Sequence, residues 1–179
     1  AVVIKNTLFD MTYHEHLSYH SILPLVSFFQ KNNLELIDVI KTDVHGGSIR
    51  CVVQLKEGIH KVNDSVHKIV KEELKIKLDH EETYKEFGEK INSQKTKLQN
   101  LLKKIKDDNK TIAGFGAPAK STTLLYHFNI DPAIMEYIVD DNKLKQNLFS
   151  PGKHIPIVSS EIIYEKRPDY LLILAWNFA

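Results

Sequence analysis

Residues 12–21, "TYHEHLSYHS", crowd three histidines, two tyrosines and a glutamate into ten positions. These side chains admit three readings. A carboxylate beside an imidazole can orient the ring and raise its basicity, so Glu15 next to His16 suits general-base work. Tyr13 adds a hydroxyl able to donate to a developing oxyanion. Alternatively, His14 and His16 share a face if the segment is extended and could ligate a metal with His20 or His45. No third ligand stands at a fixed spacing, and no metal is expected. The remaining reading is a polar loop whose imidazoles bond to backbone groups. Two glycine stretches offer the cluster a partner: "HGG" at 45–47, with Gly46 and Gly47, and a turn beginning at Gly114. Both are suited to close approach of a backbone to a ligand.

The turn "GFGAPA", Gly114 to Ala119, fits the G-x-G-x-x-G/A pattern between a strand and a helix. Asp140 falls at the end of the next strand, about where a ribose-binding acid stands in dinucleotide sites. Gly114, Gly116 and Ala117 would let the backbone approach a phosphate, and the helix N-terminus would add free N–H groups and partial positive charge. Pro118 suits a first helical position, and Lys120 adds a cation. A G-x-x-x-x-G-K-[ST] phosphate loop is excluded, because Ala119 occupies the position of its second glycine. Pattern alone indicates an anion-binding turn. An NAD(P)-dependent oxidoreductase and a tight turn needing glycine for packing both remain open.

The elements that must hold these residues are legible in outline. Ser21 is placed to cap a helix through "ILPLVSFFQKNN". "LELIDVIKT" and "SIRCVVQL" flank "DVHGG" as an antiparallel hairpin. A charged, proline-free stretch over 61–109 reads as two helices, with Asp79 as an internal N-cap. The second carries an apolar stripe of Tyr84, Phe87, Ile91, Leu98, Leu101, Leu102 and Ile105, suited to packing on this chain's own sheet. Used externally, the same stripe would make a non-catalytic binding domain. Beyond Asn109, "TIAGF", "STTLLYHFNI", "EYIVDD", "HIPIV" and "DYLLILAW" alternate strand and helix. Apolar strands of this kind indicate a parallel sheet covered on both faces. The fold class is therefore α/β, a Rossmann-like parallel sheet with flanking helices, preceded by an N-terminal helix, a β-hairpin and long helices. Three segments follow: 1–60 with the catalytic loop and hairpin, 61–109 helical, and 110–179 Rossmann-like.

The 179 residues are enough for a sizeable core, and 42% hydrophobic with 26% charged residues is ordinary for a globular protein. A net charge of +1 gives no basic field for nucleic acid or an anionic membrane. No apolar run approaches the roughly 20 residues that cross a bilayer. A single cysteine, Cys51, excludes an internal disulfide and a multi-cysteine zinc site, and suits a cytoplasmic location.

Taken in order, "FDMTYHEHLSYHS", "HGGSIR", "GFGAPAKSTTLL", "DDNKLKQNLFSPGKHIPIVS" and "RPDYLLILAWNFA" resemble the C-terminal domain of bacterial C-methyltransferases. These S-adenosylmethionine-dependent enzymes methylate a carbon of nucleotide-linked deoxysugars. The resemblance implies a longer chain with a zinc-binding N-terminal module and an S-adenosylmethionine-binding domain, neither found in these residues. The sequence is thus expected to be one domain of that enzyme, inactive alone and holding no cofactor itself. Its partners would be the nucleotide-linked sugar and the donor domain of the same chain. By position in the motif, His16 corresponds to the base that deprotonates the carbon beside a ketone, and Glu15 and Tyr13 to its companions. Imidazole suits such work because its ordinary pKa, about 6.5, lies near working pH. His14 is left structural. The "GAPAK" turn, with Gly114, Gly116, Ala117, Lys120 and the nearby Asp140, would face the nucleotide sugar, as would Gly46 and Gly47.

Overall fold

The computed structural model describes residues 1–44 and 47–176. They form two compact units, 1–8 with 16–89 and 9–15 with 90–179, so the chain passes between units at Leu8, Glu15 and Glu89. The division falls inside a helix instead of at the ends of the helical segment, and the seven residues 9–15 belong with the C-terminal sheet.

In the first unit, helices α1 (Val2–Asn6), α2 (Ile22–Lys31) and α3 (Asp64–Lys75) accompany an antiparallel hairpin of β1 (Leu34–Thr42) and β2 (Ser48–Leu55). The hairpin forms over the expected residues because β-branched side chains fit a half-buried pleated surface. Its inner residues Leu36 and Val39 pack with Ile22 of α2 and Val66 and Ile69 of α3. Ser21 occupies the N-cap of α2, but its hydroxyl makes no capping bond. The cap comes instead from α3: the Glu73 carboxylate, 2% exposed, accepts the Ile22 and Leu23 N–H groups at 2.9 and 2.8 Å. A carboxylate at a helix N-terminus satisfies orphan donors and complements the helix dipole.

The second unit is built on four parallel strands in the order β5-β4-β3-β6: β3 (Ile112–Phe115), β4 (Ile138–Val139), β5 (Ile157–Val158) and β6 (Tyr170–Ile173). The long helix α4 (Glu81–Asp107) enters this unit with its C-terminal half. Helix α5 (Ser121–Phe128) links β3 to β4, and α6 (Ile162–Lys166) precedes β6. Strand alternation divides the core: Ile112, Ile138 and Ile157 face Leu102 and Ile105 of α4 and Leu125 of α5, while Ala113, Val139 and Val158 face Ile162 and Ile163 of α6. Each fully buried aliphatic chain contributes about 1.5–3 kcal/mol. The α4 stripe therefore serves this sheet through Leu98, Leu102 and Ile105, whereas Leu101 is 54% exposed. The covering is incomplete at edge strand β6, where Tyr170, Leu171 and Ile173 stay 41–49% exposed.

Asp169, ahead of β6, clasps the entry to β3. It accepts the Thr111 N–H and hydroxyl and the Lys110 ammonium, each at 2.9–3.0 Å. The Thr111 N–H first, then Lys110 and the Thr111 hydroxyl, bring its pKa from 3.8 to about 2.

Two outcomes follow from these contacts. Glu73→Ala strands two helix-end donors and should lower stability by about 3 kcal/mol in urea titration, at roughly 1–3 kcal/mol per unsatisfied group. Because the folded pKa of Asp169 is depressed, its stabilisation is present above 3.8 and is lost as pH falls toward about 2. Asp169→Asn should therefore flatten the acid limb of a thermal-stability profile between those values and leave its shape near neutrality unaltered.

Candidate active site

Strand order β5-β4-β3-β6 places a topological switch point between β3 and β6, because the chain leaves β3 in one direction and returns on the other side. In open α/β sheets, ligands bind in the crevice beyond the carboxyl ends of the strands at such a point. The glycine turn emerges from β3 there, and Ala175 and Trp176 emerge from β6.

The segment 9–15 is anchored at the same place, residue by residue. Phe9, the first residue of a 3-10 turn (Phe9–Met11), packs edge-on against His127 and Phe128, with ring centroids 4.8 and 5.8 Å apart. Burial, with the Lys95 charge, lowers the His127 pKa and favours the neutral ring against Phe9. Asp10 is 4% exposed, and its Oδ2 accepts the Trp176 indole N–H at 2.6 Å while lying 3.8 Å from the Lys120 ammonium. Lys120 is 6% exposed, and its Nζ lies 4.1 Å from the centroid of the Trp176 ring. Burial pushes the Lys120 pKa down, and the Asp10 carboxylate partly restores it. The Thr12 carbonyl accepts the Thr123 hydroxyl of α5 at 3.1 Å.

Beyond this anchor the polar cluster comes to the surface. The Tyr13 hydroxyl donates to Glu15 at 3.3 Å, and the His14 ring approaches the same carboxylate at 3.9 Å. Both members of the His14–Glu15 pair are more than 60% exposed, so water screens it. Glu15 thus engages His14, which had no expected role. His16 is half-buried, outside any helix or strand, and its ring lies edge-on to Tyr19 at 6.4 Å. By contacts, Tyr13 and Glu15 belong with the sheet, and His16 and Gly47 belong with the hairpin unit. Gly47 has φ +127, in the left-handed region that favours glycine. Gly46 and His45 lie outside the described residues.

The glycine turn is filled from within. A Cβ on Gly114 would meet Met135 Sδ at 2.8 Å and Ile138 Cγ1 at 3.0 Å. Gly116 has φ +81, and a Cβ there would stand 2.5 Å from that of Ala175. The Ala117 N–H donates to Asp140 Oδ2 at 2.7 Å, which also takes the Lys145 ammonium at 3.1 Å, while Oδ1 takes the Asn142 N–H at 2.9 Å. Three of the four acceptor positions of Asp140 are thereby engaged. Burial raises its pKa, and the Ala117 and Asn142 N–H groups with Lys145 more than reverse this, leaving the carboxyl below its ordinary range. Pro118 stands before the helix, not in its first turn; its carbonyl accepts the Ser121 N–H and hydroxyl at 2.9 and 2.7 Å. The Ala117 N–H, one donor that a phosphate at this turn would use, is thus engaged by Asp140, and the space beside Gly116 is filled by Ala175. Among the described residues no group of three histidine, cysteine, aspartate or glutamate side chains could hold a metal ion. Nor is any helix among them long and apolar enough to cross a membrane.

Asp10, Trp176, Thr123 and Lys145 carried no sequence signal of their own. Asp10 and Trp176 sat inside the motifs "FDMTYHEH" and "LILAWNFA", and their roles depend on meeting across 166 positions.

Comparison with known proteins adds independent observations. Residues 43–179 match the family of C-methyltransferase C-terminal domains. The chain is 36% identical over 177 residues to C-methyltransferase NovU of Streptomyces niveus, an alignment covering 99% of this chain and 42% of that protein. The chain thus spans less than half the length of that relative.

Gly116→Ala should lower stability by about 1–3 kcal/mol, the scale of left-handed backbone strain, with further loss from the Ala175 collision. Chemical denaturation measures it.

Proposed function

The chain belongs to the C-methyltransferase C-terminal domain family, and from that premise we propose that it is the substrate-side half of an enzyme that methylates a carbon of a nucleotide-linked keto-deoxysugar. The observation that carries this reading is the anchoring of residues 9–12 at the switch point, directly ahead of Tyr13, Glu15 and His16. The ketone acidifies the hydrogen on its neighbouring carbon. The His16 imidazole takes that proton; the C–H electron pair forms the enolate C=C bond, and the carbonyl π pair moves to oxygen. Tyr13, whose hydroxyl donates to Glu15 in the structure, would turn that proton to a sugar oxygen when substrate arrives. The turn from Gly114 through Gly116 and Ala117 lines the sugar-nucleotide side, and Lys120, enclosed beside Asp10, supports it from behind. Asp140 holds that turn. An electrophilic methyl group comes from S-adenosylmethionine, proposed to bind a separate domain of a longer cytoplasmic chain that also carries a zinc module; this chain alone would not complete the reaction.

An NAD(P)-dependent oxidoreductase is disfavoured by the engaged Ala117 N–H and Asp140 carboxylate, so NADH titration should show no saturable enhancement of nicotinamide fluorescence in the low-micromolar range. The proton-transfer step can be followed without a methyl donor. Nucleoside-diphosphate 4-keto-6-deoxyhexoses in D₂O should take up deuterium beside the ketone, seen by NMR. His16→Ala should slow uptake about 10²–10⁴-fold, the range for a general base, with sugar-nucleotide binding retained. Uptake at the unmutated rate would remove His16 from the chemistry.

A further inference from the structure

Lys120 comes from the glycine turn after β3, Trp176 from the end of β6 and Asp10 from the segment that leads into the polar cluster. Lys120 Nζ and Trp176 Nε1 converge on one oxygen, Asp10 Oδ2, at 3.8 and 2.6 Å. The same ammonium sits over the Trp176 ring at 4.1 Å. A buried cation is stable only when carboxylates or aromatic faces compensate it, and here both do. The three side chains close a ring across the mouth of the switch point, where ligands of parallel α/β sheets bind.

We infer that Asp10, Lys120 and Trp176 form a lock that fixes residues 9–15 over the switch-point crevice, and that all three are positioning residues for the proton abstraction proposed above. The last clause rests on the proposed function; the lock itself does not. Three features favour a positioning role over general stabilisation. The carboxylate lies three residues before Tyr13 and five before Glu15. The flanking anchors, Phe9 in the core and the Thr12 carbonyl on Thr123, restrain the same four residues. Lys120 is almost fully enclosed, so its ammonium acts through Asp10 instead of reaching out to a substrate phosphate. A clamp here sets where the polar cluster leaves the sheet, and a displacement of an ångström can cost orders of magnitude in rate.

Trp176 is the chain's single tryptophan, so its emission reports the lock alone. The test compares Lys120→Met, Asp10→Asn, Trp176→Phe and Lys120→Arg by hydrogen–deuterium exchange, by fluorescence and by deuterium uptake into the keto-sugars named above. Lys120→Met and Asp10→Asn should speed amide exchange over residues 11–15 by about tenfold or more, as local opening predicts, with β3 and β4 amides unchanged. Both should also alter Trp176 emission. Trp176→Phe keeps an aromatic face but loses the indole N–H, and should speed the same amides by roughly threefold. Lys120→Arg, which keeps the cation, should restore protection. Uptake kcat should fall about tenfold in the first two variants with KM within about twofold, because alignment is lost and not binding. Unchanged exchange over 11–15 in Asp10→Asn and Trp176→Phe would overturn the lock. Equal loss of protection across β3 and β4 would overturn the positioning role in favour of global stability. Normal uptake by His16→Ala would refute the proposed chemistry while leaving the exchange result intact.

Discussion

A carboxylate and an ammonium leave water together only when each compensates the other, and in this chain that requirement joins Asp10 to Lys120. Neither could be buried alone at acceptable cost, since desolvation of an isolated charge far exceeds the stability of a small domain. Trp176 completes the arrangement by giving its N–H to the carboxylate and its face to the cation. The consequence reaches beyond the pair. A stretch near the N-terminus, the first turn of a Rossmann-like sheet and the end of its edge strand must all meet at one point, and the polar cluster starts from there.

The glycine turn shows how one pattern can serve different ends. In a dinucleotide site, glycines leave room for a phosphate. Here the room beside Gly114 and Gly116 is taken by Met135, Ile138 and Ala175, and the N–H that would meet an anion is already bonded to Asp140. The turn keeps the strand–turn–helix geometry, with its glycines used for internal packing and its acid used as a brace.

The cluster itself combines firm and loose parts. Residues 9–12 are tied to the core, whereas Glu15 and His14 lie in water and interact weakly. The approach to the cluster is thus fixed, and its exposed side chains stay accessible to solvent.

Local pattern carried much of this protein. Two β-branched runs about "DVHGG" defined the hairpin, the helical period included the α4 residues that pack on the sheet, and the strand–glycine–helix sequence marked the turn where β3 ends. The five motifs pointed to the family. Other features escaped because they depend on partners far apart in the chain. Ser21 looked like the cap of α2, yet Glu73, 51 residues beyond Ile22, supplies it. Pro118 looked helical, yet its carbonyl closes the turn before the helix. Asp140 stood out at the end of β4, yet its bonds to the Ala117 N–H and Lys145 appear only in the folded turn. Asp10 and Trp176 gave no sign of meeting. Side-chain period and turn chemistry are properties of neighbours along the chain, and sequence states them directly. Which buried charge finds which partner is decided only when the sheet closes and water is expelled.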